Sequence, residues 1–496
     1  MTEDKQSVRI AANGRTIVAV DHFSYAANGI TFLFGESGIG KSMLCKAMYG
    51  LLDPDELDIL IQNKSYRDYL DSPRIRAIKQ SSFFVFQEPS THLFPLMRIG
   101  EQLREGSIRE TGSEREILRR LWKTADEEKL KSVIDVYPKP YRPSGGEKQR
   151  VLLAMAFKKI ALLAGSSSTL PTFFVFDEPT GSLDNNYRNL FLEFLFDCFR
   201  KQPFTAMVIT HDYSIISEVL ERHRDLKDRI HYRELTRLEE GKVEVREFSP
   251  GDYLSWLKTA VAKKSGGRAA EKVLETASSF AIFGHEHRLY GDPARTRETP
   301  LVIRRGEMAY VKAPSGVGKT TLAKIVMGLY CPDRFSMTLC GKNITEKTPR
   351  RFFAKEIWGR KAGMVFQHAD EALDLQASVA ETFSGLPLGH KLTREELRQA
   401  LAELFEGGVT DAFLAKKVKF LSGGQKQRLN LLRSMILHPD LIILDEPLNG
   451  LDFESVRKII DMLDEKRKQG SALLMISHNE EIFDALVGEE SVYYLS

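Results

Sequence analysis

The chain has 496 residues, with 71 Lys+Arg against 68 Asp+Glu and a formal net charge of +3. Its 42% hydrophobic and 28% charged residues suit a globular protein and exclude global disorder, a collagen-like repeat and a strongly basic nucleic-acid arm. At about 100–200 residues per domain the length predicts two to four domains, and no apolar run approaches the ~18 residues of a membrane-crossing helix.

The N-terminal stretch MTEDKQSVRI is polar and lacks the basic start and apolar stretch of a leader. Cys45, Cys198, Cys331 and Cys340 are scattered and form no CxxC pair, as expected of reduced thiols in a cytoplasmic protein. The apolar run Ile30–Phe34 reads as a strand, GESGIGKS (Gly35–Ser42) as a loop, and the residues after it as a helix. A second apolar run ends in FVFQEPS (Phe84–Ser90), placing Gln87 at a strand end. PSGGEKQR (Pro143–Arg150) opens the helical pattern VLLAMAF. The most apolar segment, Val151–Gly165, is split by Lys158 and Lys159, and the Gly/Ser/Thr/Pro stretch Leu162–Pro171 reads as a surface loop. FFVFDE (Phe173–Glu178) is a strand ending in two carboxylates, and AMVIT leads to His211. LEEGKVEVREF (from Leu238) reads as a hairpin with its turn at Gly241.

The chain then repeats itself. APSGVGKT (Ala313–Thr320), MVFQHAD (Met364–Asp370), LSGGQKQR (Leu421–Arg428), IILDEPLNGLD (Ile442–Asp452) and MISHN (Met475–Asn479) restate the first-half motifs in the same order. Lys41 and Lys319 stand 278 positions apart, as do Ser144 and Ser422, but Asp177 and Asp445 stand only 268 apart. The extra residues of the first copy fall in the Leu162–Pro171 stretch, where an insertion costs little. The expected division is therefore a domain over 1–250, a small and basic linker over 251–276, and a second domain over 277–496.

Each motif has a chemical reading. A glycine loop between strand and helix lets backbone N–H groups close around phosphates at a positive helix end. Gly35, Ser37, Gly38 and Gly40 form the first loop, with Lys41 reaching the β- and γ-phosphates and Ser42 ligating Mg²⁺. Ser315, Gly316, Gly318, Lys319 and Thr320 repeat it, with Ala313 in place of the opening glycine, a strained exchange wherever that position needs φ > 0. Asp177 and Asp445 would hold Mg²⁺, and Glu178 and Glu446 would polarise the attacking water as general bases. Gln87 and Gln367 could ligate Mg²⁺ or orient water. His211 and His478 are either satisfied polar residues at strand ends or contacts to the γ-phosphate; their matched placement favours the second. Ser144, Gly145 and Gly146, and Ser422, Gly423, Gly424 and Gln425, form a further anion cradle at each helix start. One domain hardly needs two cradles for one nucleotide, and two domains facing head-to-tail resolve this.

The ordered set of phosphate loop, Gln loop, SGG signature, DE strand, LD loop and switch His resembles the ATP-binding cassette (ABC) ATPases, twice over, across nearly the whole chain. The resemblance implies two α/β phosphate-loop nucleotide-binding domains in tandem, each with a small antiparallel β part and a helical subdomain, at 89–141 and 369–419. It also implies Mg-ATP hydrolysis at two composite sites. Val85–Leu103 and Tyr137–Ala156 are similar to the oligopeptide, dipeptide and nickel importer ATPases, and Gly251–Val261 is similar to their C-terminal extension, without its His-Pro pair. On that resemblance the partners are separate transmembrane permease subunits, with a substrate-binding protein further out and the chain peripheral on the inner face of the membrane. The alternative is a soluble ATPase serving an enzyme complex, as in carbon–phosphorus lyase or methyl-coenzyme M reductase activation. Phe94, Met97, Leu373 and Leu375 would face the partner or fill the subdomain core. The first composite site, Lys41, Asp177, Glu178 and His211 with Ser422–Gln425, matches the family pattern throughout. The second, Lys319, Asp445, Glu446 and His478 with Ser144–Glu147, carries Ala313, Pro143 and Glu147 and is expected to turn over more slowly. The family's adenine-stacking aromatic has no counterpart in AANGRTIVAV of the first copy, and Tyr25 nearby reads as packed in the β part; Phe283 or Tyr290 could serve in the second.

Overall fold

The computed structural model describes residues 3–104, 113–138, 143–164, 171–181, 185–239, 241–261, 271–314, 316–405 and 408–496. Ser315, the end of the first LD loop at Asp184, the inserted residues 165–170 and the basic stretch 262–270 lie outside them. The chain divides into two compact units, residues 1–250 and 251–496.

The first unit is built on strands β1 (Glu3–Ala12), β2 (Arg15–Ala26), β3 (Ile30–Gly35), β4 (Asp58–Ile61), β5 (Lys64–Ser65), β6 (Phe84–Val85), β7 (Phe174–Asp177), β8 (Ala206–Ile209), β9 (Ile230–Glu239) and β10 (Lys242–Glu247). They form one sheet in the order β5-β4-β1-β2-β10-β9-β3-β8-β7-β6. Strands β3, β7 and β8 are buried along their whole length, as parallel strands covered by helices on both faces must be. β2 instead shows an alternating face, the mark of an antiparallel strand with one side in water. β9 and β10 make the expected hairpin, with Gly241 at φ 76°. A Cβ there would lie 2.8 Å from the Thr16 carbonyl oxygen, so the turn requires glycine. Tyr25 of β2 is buried with its ring 4.8 Å from Phe173.

The second unit carries β11 (Lys272–Thr276), β12 (Ser279–Ile282), β13 (His285–Tyr290), β14 (Val302–Arg304), β15 (Met308–Lys312), β16 (Ser336–Leu339), β17 (Lys342–Thr345), β18 (Ala362–Val365), β19 (Leu441–Asp445), β20 (Ala472–Ile476) and β21 (Val492–Leu495). Its main sheet runs β12-β13-β21-β15-β20-β19-β18, and β14-β11-β16-β17 form a separate antiparallel sheet. Both units therefore share the order of four parallel strands, β3-β8-β7-β6 and β15-β20-β19-β18, that positions the motifs. The stretch expected as a linker holds the helix Pro250–Val261 and strand β11. Tyr253, Trp256 and Ala260 form the buried stripe of that helix.

Between Gln loop and SGG motif each unit carries short helices: Ile99–Arg104, Ser113–Trp122 and Glu127–Ile134 in the first, Arg394–Ala402 and Asp411–Ala415 in the second. Among the described residues no helix is long and apolar enough to cross a membrane.

Candidate active sites

Each site is assembled at the carboxyl ends of the four parallel strands, where an α/β sheet leaves its crevice. β3 delivers the first loop, and Gly35 closes that strand at φ 135°, where a Cβ would meet the Leu235 carbonyl at 2.6 Å. Gly38 and Gly40 also hold positive φ, and Gly40 opens the helix Lys41–Tyr49. The Lys41 ammonium folds back to donate to the carbonyls of Gly35 at 2.6 Å and Glu36 at 3.0 Å. Lys319 does the same to Ala313 at 2.6 Å and Pro314 at 3.3 Å, below the helix Lys319–Val326. Ala313 is not in the left-handed region, whereas Gly316 and Gly318 are. The strain expected of that alanine is absent, because in this loop the opening residue supplies a carbonyl rather than a left-handed turn.

Strand pairing sets the remaining groups side by side. β7 aligns Asp177 with Ile209 of β8, two residues before His211, and aligns Phe176 with Val85 of β6, two residues before Gln87. In the second unit Asp445 pairs with Ile476, ahead of His478, and Leu444 pairs with Val365, ahead of Gln367. Gln87 is exposed and Gln367 half-buried. The Ser42 hydroxyl donates to Asp177 Oδ1 at 2.9 Å. Burial pushes the Asp177 carboxyl up to about 6, against the pull of Ser42. Asp445 is 1% exposed, and both its oxygens lie buried without a hydrogen-bond partner. Burial raises its pKa as well, with the Thr320 hydroxyl and the Lys324 and Lys319 ammonium groups pulling it back. In each cassette a buried carboxylate beside a hydroxyl, Asp177 with Ser42 and Asp445 with Thr320, makes a hard-oxygen site that fits Mg²⁺.

Glu178 and Glu446 both sit at positive φ, 46° and 49°. This is costly for a side chain with a Cβ and is tolerated only where the surroundings fix it. Each turn is held by its amide, Glu178 N–H to the Ile209 carbonyl at 3.0 Å and Glu446 N–H to the Ile476 carbonyl at 2.8 Å. The carboxylates then part company. Glu178 Oε1 lies 3.0 Å from His211 Nδ1. Burial works against the imidazolium, but the charge of Glu178 and its hydrogen bond together outweigh it and leave the His211 pKa raised. Glu446 Oε2 accepts from the Ser477 hydroxyl at 2.9 Å and the His478 amide at 3.2 Å. Its Oε1 has no hydrogen-bond partner and stands 3.6 Å from His478 Nε2. Burial pushes the Glu446 carboxyl up to about 7.

Both SGG motifs open a helix, Gly145–Ala164 and Gly423–Met435. The Ser144 amide and hydroxyl both donate to Glu147 Oε2, at 2.8 and 2.9 Å. The Ser422 amide donates to Gln425 Oε1 at 3.0 Å in a capping box. The S-x-x-E/Q spacing already spelled that box in the sequence. Gln425, expected among the phosphate contacts, is turned back onto its own helix cap. Each helix is also tied to its Gln loop: Lys148 Nζ lies 3.3 Å from Ser90 Oγ, and Lys426 pairs with Asp370 at 2.9 Å.

The ring that lies against Gly318 of the second phosphate loop is that of His287. Phe283 is 72% exposed and packs on Tyr330, and Tyr290 pairs with Tyr494 in the sheet. A Cβ on Gly318 would lie 3.2 Å from the His287 ring, and one on Gly40 would lie 2.8 Å from Val18. Of the residues expected to face a partner, Phe94 is 56% exposed, whereas Leu373 is buried.

The model of the ABC transporter family matches residues 20–181 and again residues 297–449. The chain belongs to that family. It is a tandem of two ATP-binding cassettes and an ATP hydrolase that uses ATP with Mg²⁺. The peptidoglycan transport ATP-binding protein YejF of Agrobacterium fabrum is 28% identical over 517 residues, covering 97% of this chain and 89% of that protein. The glutathione import ATP-binding protein GsiA of Escherichia coli O157:H7 is 25% identical over 533 residues, covering 97% and 82%. Among solved structures, an RNase-L Inhibitor matches with a TM-score of 0.63 over 98% of this chain and 89% of that one, at 18% identity, which speaks for the fold alone.

Proposed function

We propose that this twin-cassette ATPase energises a separate membrane permease that imports peptide-type compounds, docking on its inner face. The observation that carries this reading is the similarity along nearly the full length of the chain to ATP-binding proteins of transporters, one named for peptidoglycan transport and one for glutathione import. An apolar groove of about 490 Å³ in the first cassette supports it. The groove lies just past the Gln loop, with Phe86, Phe94, Leu103 and Met155 among its walls and the exposed Phe94 at its rim. It offers a partner an apolar seat beside the residue that follows events at the phosphates.

In this proposal Lys41 and Lys319 leave their loop carbonyls to bind the β- and γ-phosphates, and the SGG cradle of each cassette closes on the nucleotide of the other. Glu178 and Glu446 accept the proton of the attacking water, and His211 and His478 steady the charge that grows on the γ-phosphate. Ser42 and Asp177, and Thr320 and Asp445, would hold Mg²⁺ with Gln87 and Gln367; when bound, the ion would neutralise charge that grows on the phosphates. Closure moves the partner because ATP binds the closed arrangement more tightly than the open one.

The test is affinity capture of the full chain from detergent-solubilised membranes of the native cell. Recovery of multi-helix membrane proteins, with ATPase activity that rises when they are reconstituted with the chain, is expected. Recovery solely with soluble enzyme subunits would replace transport with an assembly or activation role.

A further inference from the structure

In the first cassette one ion pair joins two elements beside the hydrolytic pair. Arg188 stands near the start of the helix Asn185–Lys201, directly after the LD loop. Its Nη1 donates to Asp212 Oδ2 at 2.9 Å and also to the Ser214 hydroxyl. Asp212 adjoins His211, so the helix after the LD loop is tied to the segment that carries the histidine. The second cassette has Val456 and Asn479 at the matched positions, and these cannot form the pair.

There a third element makes the connection. Helix Pro250–Val261, from the segment that links the cassettes in sequence, buries Tyr253 completely and Trp256 to 8% exposure. Both rings pack on Phe453, the first residue of the helix Phe453–Lys468, with centroids 5.8 and 5.4 Å away. The Tyr253 hydroxyl donates to Glu481 Oε2 at 2.7 Å. Glu481 lies in the first turn of the helix Glu480–Leu486, whose Glu480 amide donates to the carbonyl of His478 at 2.9 Å. The same two elements, the helix after the LD loop and the segment after the histidine, are thus bridged by an aromatic wedge.

We infer that Tyr253 is a positioning residue for ATP hydrolysis in the second cassette: the helix it belongs to clamps the His478 segment in place of the Arg188–Asp212 pair. A hydroxyl-to-carboxylate bond is short and directional, so it fixes the helix start that follows His478. The buried rings hold the wedge against Phe453, so a shift of helix Pro250–Val261 is felt at the histidine. The connection between cassettes thereby becomes a control input to one site and not the other. This concerns ATP turnover and stands whatever the cassettes drive.

The test uses the full chain. Tyr253→Phe keeps the ring and removes only the hydroxyl. With Glu178→Gln present, so that the second cassette reports, kcat is expected to fall about threefold or more, the worth of one hydrogen bond, with KM for ATP within about twofold. With Glu446→Gln present, the same substitution leaves the residual turnover unchanged. A cycle of Tyr253→Phe and Glu481→Ala, also with Glu178→Gln present, removes the same bond from either end, so the two losses in kcat are expected not to add. Equal effects in both carboxylate backgrounds, additive losses in the cycle, or an unchanged kcat for Tyr253→Phe with Glu178→Gln present would each overturn the inference.

Discussion

Glu178 and Glu446 stand at matched positions, hang from the same left-handed turn, and keep different company. Glu178 shares a hydrogen bond with His211. Glu446 is held by Ser477 and by the backbone, while its second oxygen is left without a hydrogen-bond partner. The residue before each histidine contributes to the difference. Thr210 Oγ1 accepts from the Asp212 amide, and Ser477 Oγ accepts likewise from Asn479 but also donates to Glu446. Two identical DE-strand motifs therefore give their glutamates different partners, because burial and neighbours, and not the motif, set the surroundings of each carboxylate.

Removing a base should break the symmetry most visibly. Glu178→Gln is expected to slow single-turnover ATP hydrolysis by about a hundredfold or more, the usual scale of a general base. Glu446→Gln is expected to cost less, since at neutral pH that carboxyl, pushed up to about 7, is deprotonated in only part of the molecules. Equal losses would erase the proposed inequality of the sites.

Next in size is the backbone. Gly35→Ala places a Cβ 2.6 Å from the Leu235 carbonyl at a φ that alanine resists. A loss on the order of 2 kcal/mol is expected in thermal or denaturant unfolding of the first cassette. The reverse exchange, Ala313→Gly, relieves no strain and should change stability by less than about 1 kcal/mol. A large gain from it would show that the second loop is strained after all.

The pH dependence sharpens the comparison further. A base works only when deprotonated, so in Glu178→Gln the remaining hydrolysis should rise as pH climbs through about 7 and fade below it. Ser477→Ala removes a donor to the charged form of Glu446 and should move that rise upward by about one pH unit. A profile flat from pH 6 to 8 would show that Glu446 is not the titrating base.

Much of this was legible in the sequence because the motifs are local. A glycine loop between strand and helix, or acids at the end of an apolar strand, carries its geometry within a few residues. The spacing of Ser144 to Glu147 and of Ser422 to Gln425 is likewise a local signal for the capping boxes seen there, although both helix starts were expected as anion cradles. Other features lay beyond reach. His287 precedes the second loop by a long excursion, and only the pairing of β13 within the sheet brings its ring to Gly318. Leu373 lies six positions after Gln367 as Leu93 lies six after Gln87, and both are buried, whereas Phe94, one position further on, is exposed; only the packing separates these neighbours. Gly251–Val261 read as part of a linker because the basic residues after it masked the stripe of Tyr253, Trp256 and Ala260.

By itself the sequence determined two cassettes, the chemistry of each motif and the order of the motifs. These follow from the repeat and from residue types that phosphate and Mg²⁺ require at short spacing. Tertiary structure alone decided which carboxylate pairs with its histidine, which acids are buried enough to hold a proton near neutrality, and which helix braces the second histidine. Those properties depend on desolvation and on contacts between residues tens to hundreds of positions apart, as between Tyr253 and Glu481, and no local pattern encodes them.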